Sequence, residues 1–98
     1  MHLDWPRGKK DQMPEIARFF GIIITMFYDE HNPPHFHARY AGDKAAIEIA
    51  SLRVLEGRLP SRVLGLVVEW ASGHQEELMA NWDAARIDKP LRKIQPLQ

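Results

Sequence analysis

Two consecutive prolines, Pro33 and Pro34, separate two segments of different character in the first half of this chain. Proline fixes its own backbone and disfavours helix at the residue before it, so a regular helix cannot run through this point. The run from Phe19 to Tyr28 is almost continuously apolar and rich in β-branched and aromatic residues, which predicts a central strand covered on both faces. Residues 35–41 alternate in polarity, which predicts a strand with two different faces. We therefore expect two strands joined by a loop over residues 29–34.

The alternating segment predicts a hairpin. Gly42-Asp43 is a two-residue turn signal, and residues 44–50 then return as a strand. With Ala41 opposite Lys44, the pairs on one face are all apolar, namely Phe36 with Ile49, Ala38 with Ile47, and Tyr40 with Ala45. On the other face His37 falls opposite Glu48, with Arg39 diagonal to it, and we expect that face to stay at least partly open.

The rest of the chain predicts a short strand, a helix and a last edge strand. The short strand covers residues 53–57, and helical spacing of apolar residues then runs from Val63 to Ala85. This stripe favours one long helix over residues 60–86 that can bend at Gly73, or two helices meeting there with Ser72 as an N-cap. Residues 91–97 are expected to form the edge strand. The prediction is an α+β fold, with a small antiparallel sheet of about four strands packed against a long C-terminal helix.

Length and composition restrict the class of protein. The 98 residues predict a single domain over residues 13–98, preceded by a polar arm over residues 1–12 that we expect to be flexible. There is no cysteine, which excludes disulfides and thiolate zinc sites. The formal net charge is zero, so nucleic-acid binding would need a local basic patch. No apolar run has membrane-spanning length, and we expect a cytoplasmic protein without membrane contact.

The seven residues His31-Asn32-Pro33-Pro34-His35-Phe36-His37 carry three of the five histidines. Cleavage of RNA by attack of the 2′-hydroxyl needs a base, an acid and a cation near the phosphate. His35 and His37 can share the first two roles, and Arg39 on the same face can hold the phosphate. Glu48 would raise the basicity of His37. These four residues form the predicted catalytic set.

The same motif has two other interpretations. His35 and His37 share a strand face, and His31 can fold back as a third nitrogen ligand for zinc or another divalent ion, with water in the fourth position. Glu48 could ligate the ion or orient a ring. Alternatively, the imidazoles only bond to backbone groups and lock the loop. His74, on the apolar helix face, is expected to be a hydrogen-bonded core histidine.

The sequence also resembles a family of small bacterial proteins, the domain-of-unknown-function family 4160, over residues 13–97. The resemblance is carried mainly by the His31–His37 heptapeptide. Further matching positions are Pro14–Ile24, Leu59-Pro60, Glu69-Trp70, His74, Asn81-Trp82 and Pro90–Ile94. The chain departs from the family in its N-terminal arm and at Ser51-Leu52, where the family tends to have a glycine-containing turn.

The resemblance implies a small protein partner, because such proteins are often encoded beside a second small protein in toxin–antitoxin-like arrangements. It implies no settled activity. Two hypotheses follow, a toxin-like effector directed at RNA (a candidate ribonuclease) and a non-enzymatic protein-binding module that holds a metal through the histidines. No cofactor is expected, with a divalent metal such as zinc as the alternative, and the sequence leaves the oligomeric state open.

Overall fold

A computed structural model describes residues 14–98, and the predicted arm over residues 1–12 lies outside the described residues. The described chain forms one antiparallel sheet followed by two helices, which confirms the α+β fold with five strands instead of about four. Each strand pairs with the next along the chain, in the order β1-β2-β3-β4-β5. The strands are β1 (Glu15–Phe19), β2 (Ile22–Thr25), β3 (His35–Tyr40), β4 (Asp43–Glu48) and β5 (Val54–Arg58).

The predicted single strand from Phe19 to Tyr28 is wrong, because a tight turn divides this region. Phe20 and Gly21 have φ angles of 51° and 80°, and β1 and β2 pair on either side of them. Two successive positive φ values match the twist of a two-residue hairpin, and glycine supplies the second at little cost. The apolar pattern did not reveal this turn because Phe20 continues the apolar run, although its side chain is 60% exposed.

The β3–β4 hairpin forms, but its turn lies one residue earlier than predicted. Ala41 and Gly42 are the turn residues, and Tyr40 lies opposite Asp43. Every residue of β3 therefore has a partner two positions earlier than expected, so that His37 lies opposite Ala46 and His35 lies opposite Glu48. The division of side chains between the two faces is unchanged, because a shift of two residues preserves the alternation.

The C-terminal helical region consists of two helices, α1 (Ser61–Ser72) and α2 (Gln75–Arg86), not one long helix. At the end of α1, the backbone N–H groups of Gly73 and His74 donate to the carbonyls of Trp70 and Ala71. His74 then leaves helical geometry, with φ −137° and ψ 24°. Ser72 does not cap α2, because its hydroxyl donates to the Glu69 carbonyl. His74 is only partly buried, and its Nδ1 bonds to Glu77.

The core lies between one face of the sheet and the two helices. Trp70 of α1 is 1% exposed and packs its ring near those of Phe19 and Phe36, with centroid separations of 5.4 Å and 6.0 Å. The other fully buried large side chains come from both layers and are Ile16, Ile22, Ile24, Met26, Ile47, Ile49, Val67 and Leu78. The opposite face of the sheet carries the polar residues of β3, and Arg39 and Lys44 are exposed there.

The predicted edge strand over residues 91–97 is wrong, since this segment forms no regular strand. It is nevertheless fixed to the domain. The backbone N–H of Ile94 donates to the Ile16 carbonyl at 2.8 Å, and the Trp70 indole N–H donates to the Gln95 carbonyl at 2.8 Å. Asn81 makes two more bonds: its amide donates to the Arg92 carbonyl at 2.9 Å and accepts from the Arg92 N–H at 2.8 Å.

Replacing Asn81 with alanine is expected to detach the C-terminal segment from α2. Asn81 is 3% exposed, and its loss leaves a backbone N–H and a carbonyl of Arg92 without partners. We expect the free energy of unfolding to fall by about 1–3 kcal/mol, since each of these two part-buried hydrogen bonds contributes about 0.5–1.5 kcal/mol. Urea unfolding measures this loss, and hydrogen exchange at Ile94 should accelerate. Ala80→Gly in the same helix is the control for a change of helix propensity alone, at about 1 kcal/mol.

Candidate functional site

The predicted site residues of β3 lie on one face, as expected. His35, His37 and Arg39 alternate with the core residues Phe36 and Ala38. Their exposure differs strongly along the strand: His35 is buried, His37 is partly buried and Arg39 is exposed. The strand thus runs from a closed end near the Pro33-Pro34 turn to an open end near the β3–β4 turn.

Glu48 does not contact the histidine for which it was predicted. Its carboxylate accepts a hydrogen bond from the Ser51 hydroxyl at 2.6 Å, in the turn between β4 and β5. The Ser51 Oγ accepts in turn from the Arg53 backbone N–H at 3.2 Å. The geometry therefore gives Glu48 a place in the β4–β5 connection, and its predicted catalytic role has no contact in support.

Glu30 takes the position that the sequence had assigned to Glu48. One oxygen of its carboxylate, Oε1, lies 3.0 Å from His35 Nε2, and the other, Oε2, lies 3.6 Å from His37 Nε2. Glu30 belongs to the loop between β2 and β3, so strand pairing says nothing about its direction. In the sequence, Glu30 is marked only by its position next to the histidine motif. This signal is too weak to show whether Glu30 or the adjacent Asp29 contacts the histidines.

His35 is held in one orientation by contacts on both sides of its ring. Its Nδ1 lies 2.7 Å from the Pro33 carbonyl oxygen, and its ring centroid lies 5.3 Å from that of Trp82. A carbonyl only accepts hydrogen bonds, so Nδ1 carries the proton and donates it. In the neutral ring, Nε2 then presents its lone pair toward Glu30.

His37 stacks on Phe27, with ring centroids 4.3 Å apart and an interplanar angle of 28°. Its Nε2 is buried, and within residues 14–98 it has no hydrogen-bond partner. Burial lowers the pKa of His37 below its ordinary value; the Glu30 carboxylate opposes this effect and the adjacent His35 adds to it. A buried ring nitrogen without a hydrogen bond therefore lies 3.6 Å from the Glu30 carboxylate.

His31, the third ligand in the predicted metal set, is exposed. The metal-binding atoms that come together within the described residues belong to Glu30, His35 and His37, which all lie within 4.8 Å of one another. We call these three residues the Glu30 triad. The loop that carries Glu30 and His31 is linked to α2, because Arg86 Nη1 donates to Asn32 Oδ1 at 3.4 Å.

Basic side chains form a row across the open face of the sheet. Arg39 lies opposite Lys44, and Lys44 lies opposite Arg58. On the other side Arg39 is opposite Ile23, which is opposite Arg18, so the row extends to β1. Arg18 donates to Glu15 at 2.8 Å and 2.9 Å, whereas Arg39, Lys44 and Arg58 make no ion pair within the described part of the chain. We call these last three residues the basic row.

A cleft of about 420 Å³ lies on this open face. It is bounded by strands β2 to β5 and by Phe27, and its lining residues are Thr25, Phe27, His37, Arg39, Lys44, Ala45, Ala46, Glu56 and Gly57. His37 belongs both to this cleft and to the Glu30 triad, which makes the two features neighbours. The predicted catalytic pair is thus split between environments, with His37 at the cleft and His35 behind it.

The chain was compared with known protein families. Residues 21–83 match the family described as a domain of unknown function, DUF4160. The chain belongs to this family. The match confirms the resemblance given by the His31–His37 motif, and the matched DUF4160 region contains the Glu30 triad, the basic row and every residue that lines the cleft. It ends before the segment that Asn81 fixes.

The DUF4160 match assigns no activity to these residues. The chain matches neither a curated protein nor a solved structure. Among the described residues of this DUF4160 protein, no helix has the length and apolar character needed to cross a membrane.

Proposed function

We propose that this protein is a cytoplasmic, toxin-like effector that binds RNA on the open face of its sheet, as one member of a two-protein module. The basic row carries the proposal. It places Arg39, Lys44 and Arg58 side by side on three successive strands of a chain whose formal net charge is zero. Phosphate contacts by arginine and lysine supply most of the non-specific affinity of proteins for nucleic acids.

The spacing of the row suits a sugar–phosphate backbone that crosses the strands. Adjacent strands are about 4.8 Å apart, so the row from β3 to β5 spans about 10 Å, and about 19 Å with Arg18 on β1 included. These side chains are exposed and can adjust to the phosphates. These residues therefore form a local basic patch. A chain with zero net charge needs such a patch to bind nucleic acid.

The cleft beside the row offers an aromatic surface for a base. Phe27 and His37 are stacked on each other, and both line the cleft. Single-stranded RNA is commonly bound by stacking its bases on aromatic rings while basic groups hold its backbone. This combination favours single-stranded RNA over a duplex.

Cleavage of the bound RNA is the catalytic form of the proposal. The 2′-oxygen would form a bond to phosphorus as the 5′-oxygen leaves, with one proton moving to a base and one supplied by an acid. Arg39 is exposed at the cleft and suited to hold the phosphate. The Nε2 of His37 is buried and faces Glu30, so proton transfer from that atom requires the Glu30 loop to move.

The test is binding of a short fluorescein-labelled single-stranded RNA, followed by anisotropy at several salt concentrations. Removing two charges with Arg39→Gln and Lys44→Gln together is expected to weaken binding and to reduce the slope of log K against log salt by about 1.4, since each phosphate contact on a single strand contributes about 0.7. The matched control is Arg62→Gln with Lys89→Gln, which removes the same charge from outside the sheet. We expect this control to bind as the wild type does.

Equal loss of affinity in both double variants would contradict the assignment of the basic row. A wild-type chain that binds its neighbouring small protein but no RNA would support the alternative function, a non-enzymatic protein-binding module. Gel analysis of the same RNA after incubation distinguishes binding from cleavage. Cleavage that persists in His37→Gln would exclude that histidine from the reaction.

A further inference from the structure

We propose that the Glu30 triad is a binding site for one divalent transition-metal ion of the zinc class. The site uses Glu30, His35 and His37, with Glu30 in the place that the sequence had given to His31. Two imidazoles and one carboxylate are a common donor set for zinc and for non-haem iron. The inference does not depend on RNA binding, and either proposal can fail while the other holds.

The proton positions at His35 point to a cation. Because Nδ1 donates to the Pro33 carbonyl, Nε2 of the neutral ring is an acceptor, and it lies 3.0 Å from a carboxylate oxygen that is also an acceptor. Two acceptors at this distance repel unless a positive charge lies with them. Either a proton shared by the two groups or a metal ion between the two atoms removes this repulsion. A backbone carbonyl on the far nitrogen is one of the usual partners of a metal-bound histidine, beside carboxylates and water.

His37 distinguishes between a proton and a metal. A proton shared by His35 and Glu30 leaves the buried Nε2 of His37 without a partner, which costs free energy. A metal ion satisfies that nitrogen as well.

The distances fit an ion of this size. Around a tetrahedral zinc ion with ligands at about 2.0–2.1 Å, neighbouring donor atoms are about 3.4 Å apart. The two contacts of Glu30, which are made through different carboxylate oxygens at 3.0 Å and 3.6 Å, lie on either side of this value. All three donors already lie within 4.8 Å of one another, so the widest pair has to close by at most about 1.4 Å to reach this separation.

The surroundings limit how far the donors can move. His35 and His37 share one face of an inner strand, their rings are 5.1 Å apart, and each ring is packed against an aromatic side chain. Three protein ligands leave the fourth position of a tetrahedral ion for water or substrate. Since His37 also lines the cleft, an ion held by its ring would lie next to the surface that we propose for RNA.

The experiment is a zinc titration of the full chain after treatment with a chelator, in competition with a chromophoric chelator. We expect one ion per chain in the wild type. Glu30→Gln and His37→Gln should each weaken zinc binding by at least about 100-fold, since loss of an outer-shell partner alone costs about 10–100-fold. The matched controls are Glu48→Gln and His31→Gln, which change the same residue types outside the triad. Both controls should bind zinc as the wild type does.

Two further measurements use the wild type, so that their results do not depend on whether the variants fold. In the wild type, zinc at about 100 times its Kd should raise the thermal midpoint by about 10–20 °C. It should also shift the ¹⁵N resonances of His35 and His37 at Nε2, and leave those of His31 and His74 in place. Shifts at His31 or His74 instead, equal affinity in the Glu30 and Glu48 variants, or no zinc binding by the wild type would each overturn the site.

Discussion

Replacing Trp70 with alanine is expected to lower the free energy of unfolding by about 3–5 kcal/mol, a large part of the total for a domain of this size. Trp70 is the largest fully buried side chain among residues 14–98, and it lies where α1 meets the sheet. Its ring packs near Phe19 of β1 and Phe36 of β3. Alanine leaves a cavity between the sheet and the helices, and both of these layers would have to move to fill it.

The same substitution also releases the C-terminal segment, because the Trp70 indole N–H donates to the Gln95 carbonyl. Trp70→Phe separates the two effects, since it keeps an aromatic ring but removes the donor. We expect that variant to lose about 1–2 kcal/mol, from a smaller ring and one unpaired carbonyl. Chemical unfolding of both variants gives the comparison. A loss below about 1 kcal/mol in Trp70→Ala would show that the helices contribute little to the stability of the sheet.

The division of the sheet into faces was predictable because it depends only on alternation. His35, His37 and Arg39 were placed on one face and Phe36 on the other, and the structure agrees. The register was not predictable in this way. Moving every partner by two residues still leaves Phe36 and Ala38 opposite apolar residues and gives only Tyr40 a polar partner, Asp43, so the pattern on this face does not decide the register. The turn decides between them, and here Ala41 adopts a positive φ of 55° that favours glycine.

The break between the helices and the course of the C-terminal segment depend on long-range contacts. The apolar stripe continues across Gly73, so its periodicity favoured one helix. The helical region is nevertheless divided at His74, which leaves helical geometry between α1 and α2. The segment after Pro90 was expected to form an edge strand. It is held instead by side chains of both helices, Trp70 and Asn81, which local sequence patterns cannot reveal.

The candidate site shows the same limit. The histidine motif predicted the location of the candidate site, and the rings of His35 and His37 do lie next to each other. Their carboxylate partner, Glu30, comes from a loop. The direction of its side chain therefore depends on the path of that loop, and the alternation of side chains along a strand does not predict it. The exposed basic row was also missed, because its members come from three strands and become neighbours only through pairing.

Replacing Gly57 with alanine is expected to separate β5 from β4 and to lower the free energy of unfolding by about 2–4 kcal/mol. Gly57 has a φ of 76°, and a Cβ there would lie 2.2 Å from the Lys44 carbonyl oxygen and 3.1 Å from the Ala45 Cα. These are backbone atoms of the paired strand, so no side-chain movement relieves the overlap. The left-handed conformation adds about 1–2 kcal/mol for any residue with a Cβ.

The matched control is Gly42→Ala, since a Cβ at Gly42 meets nothing within 4 Å. We expect this control to unfold within about 1 kcal/mol of the wild type, as most surface substitutions do. The two variants also connect the edge strand to the proposed function. Arg58 follows Gly57 directly and completes the basic row opposite Lys44. If β5 moves away, one phosphate contact is lost, and the salt slope of RNA binding should fall by about 0.7 in Gly57→Ala but not in Gly42→Ala. An unchanged slope in a destabilised but folded Gly57→Ala would show that the RNA contacts end at β4.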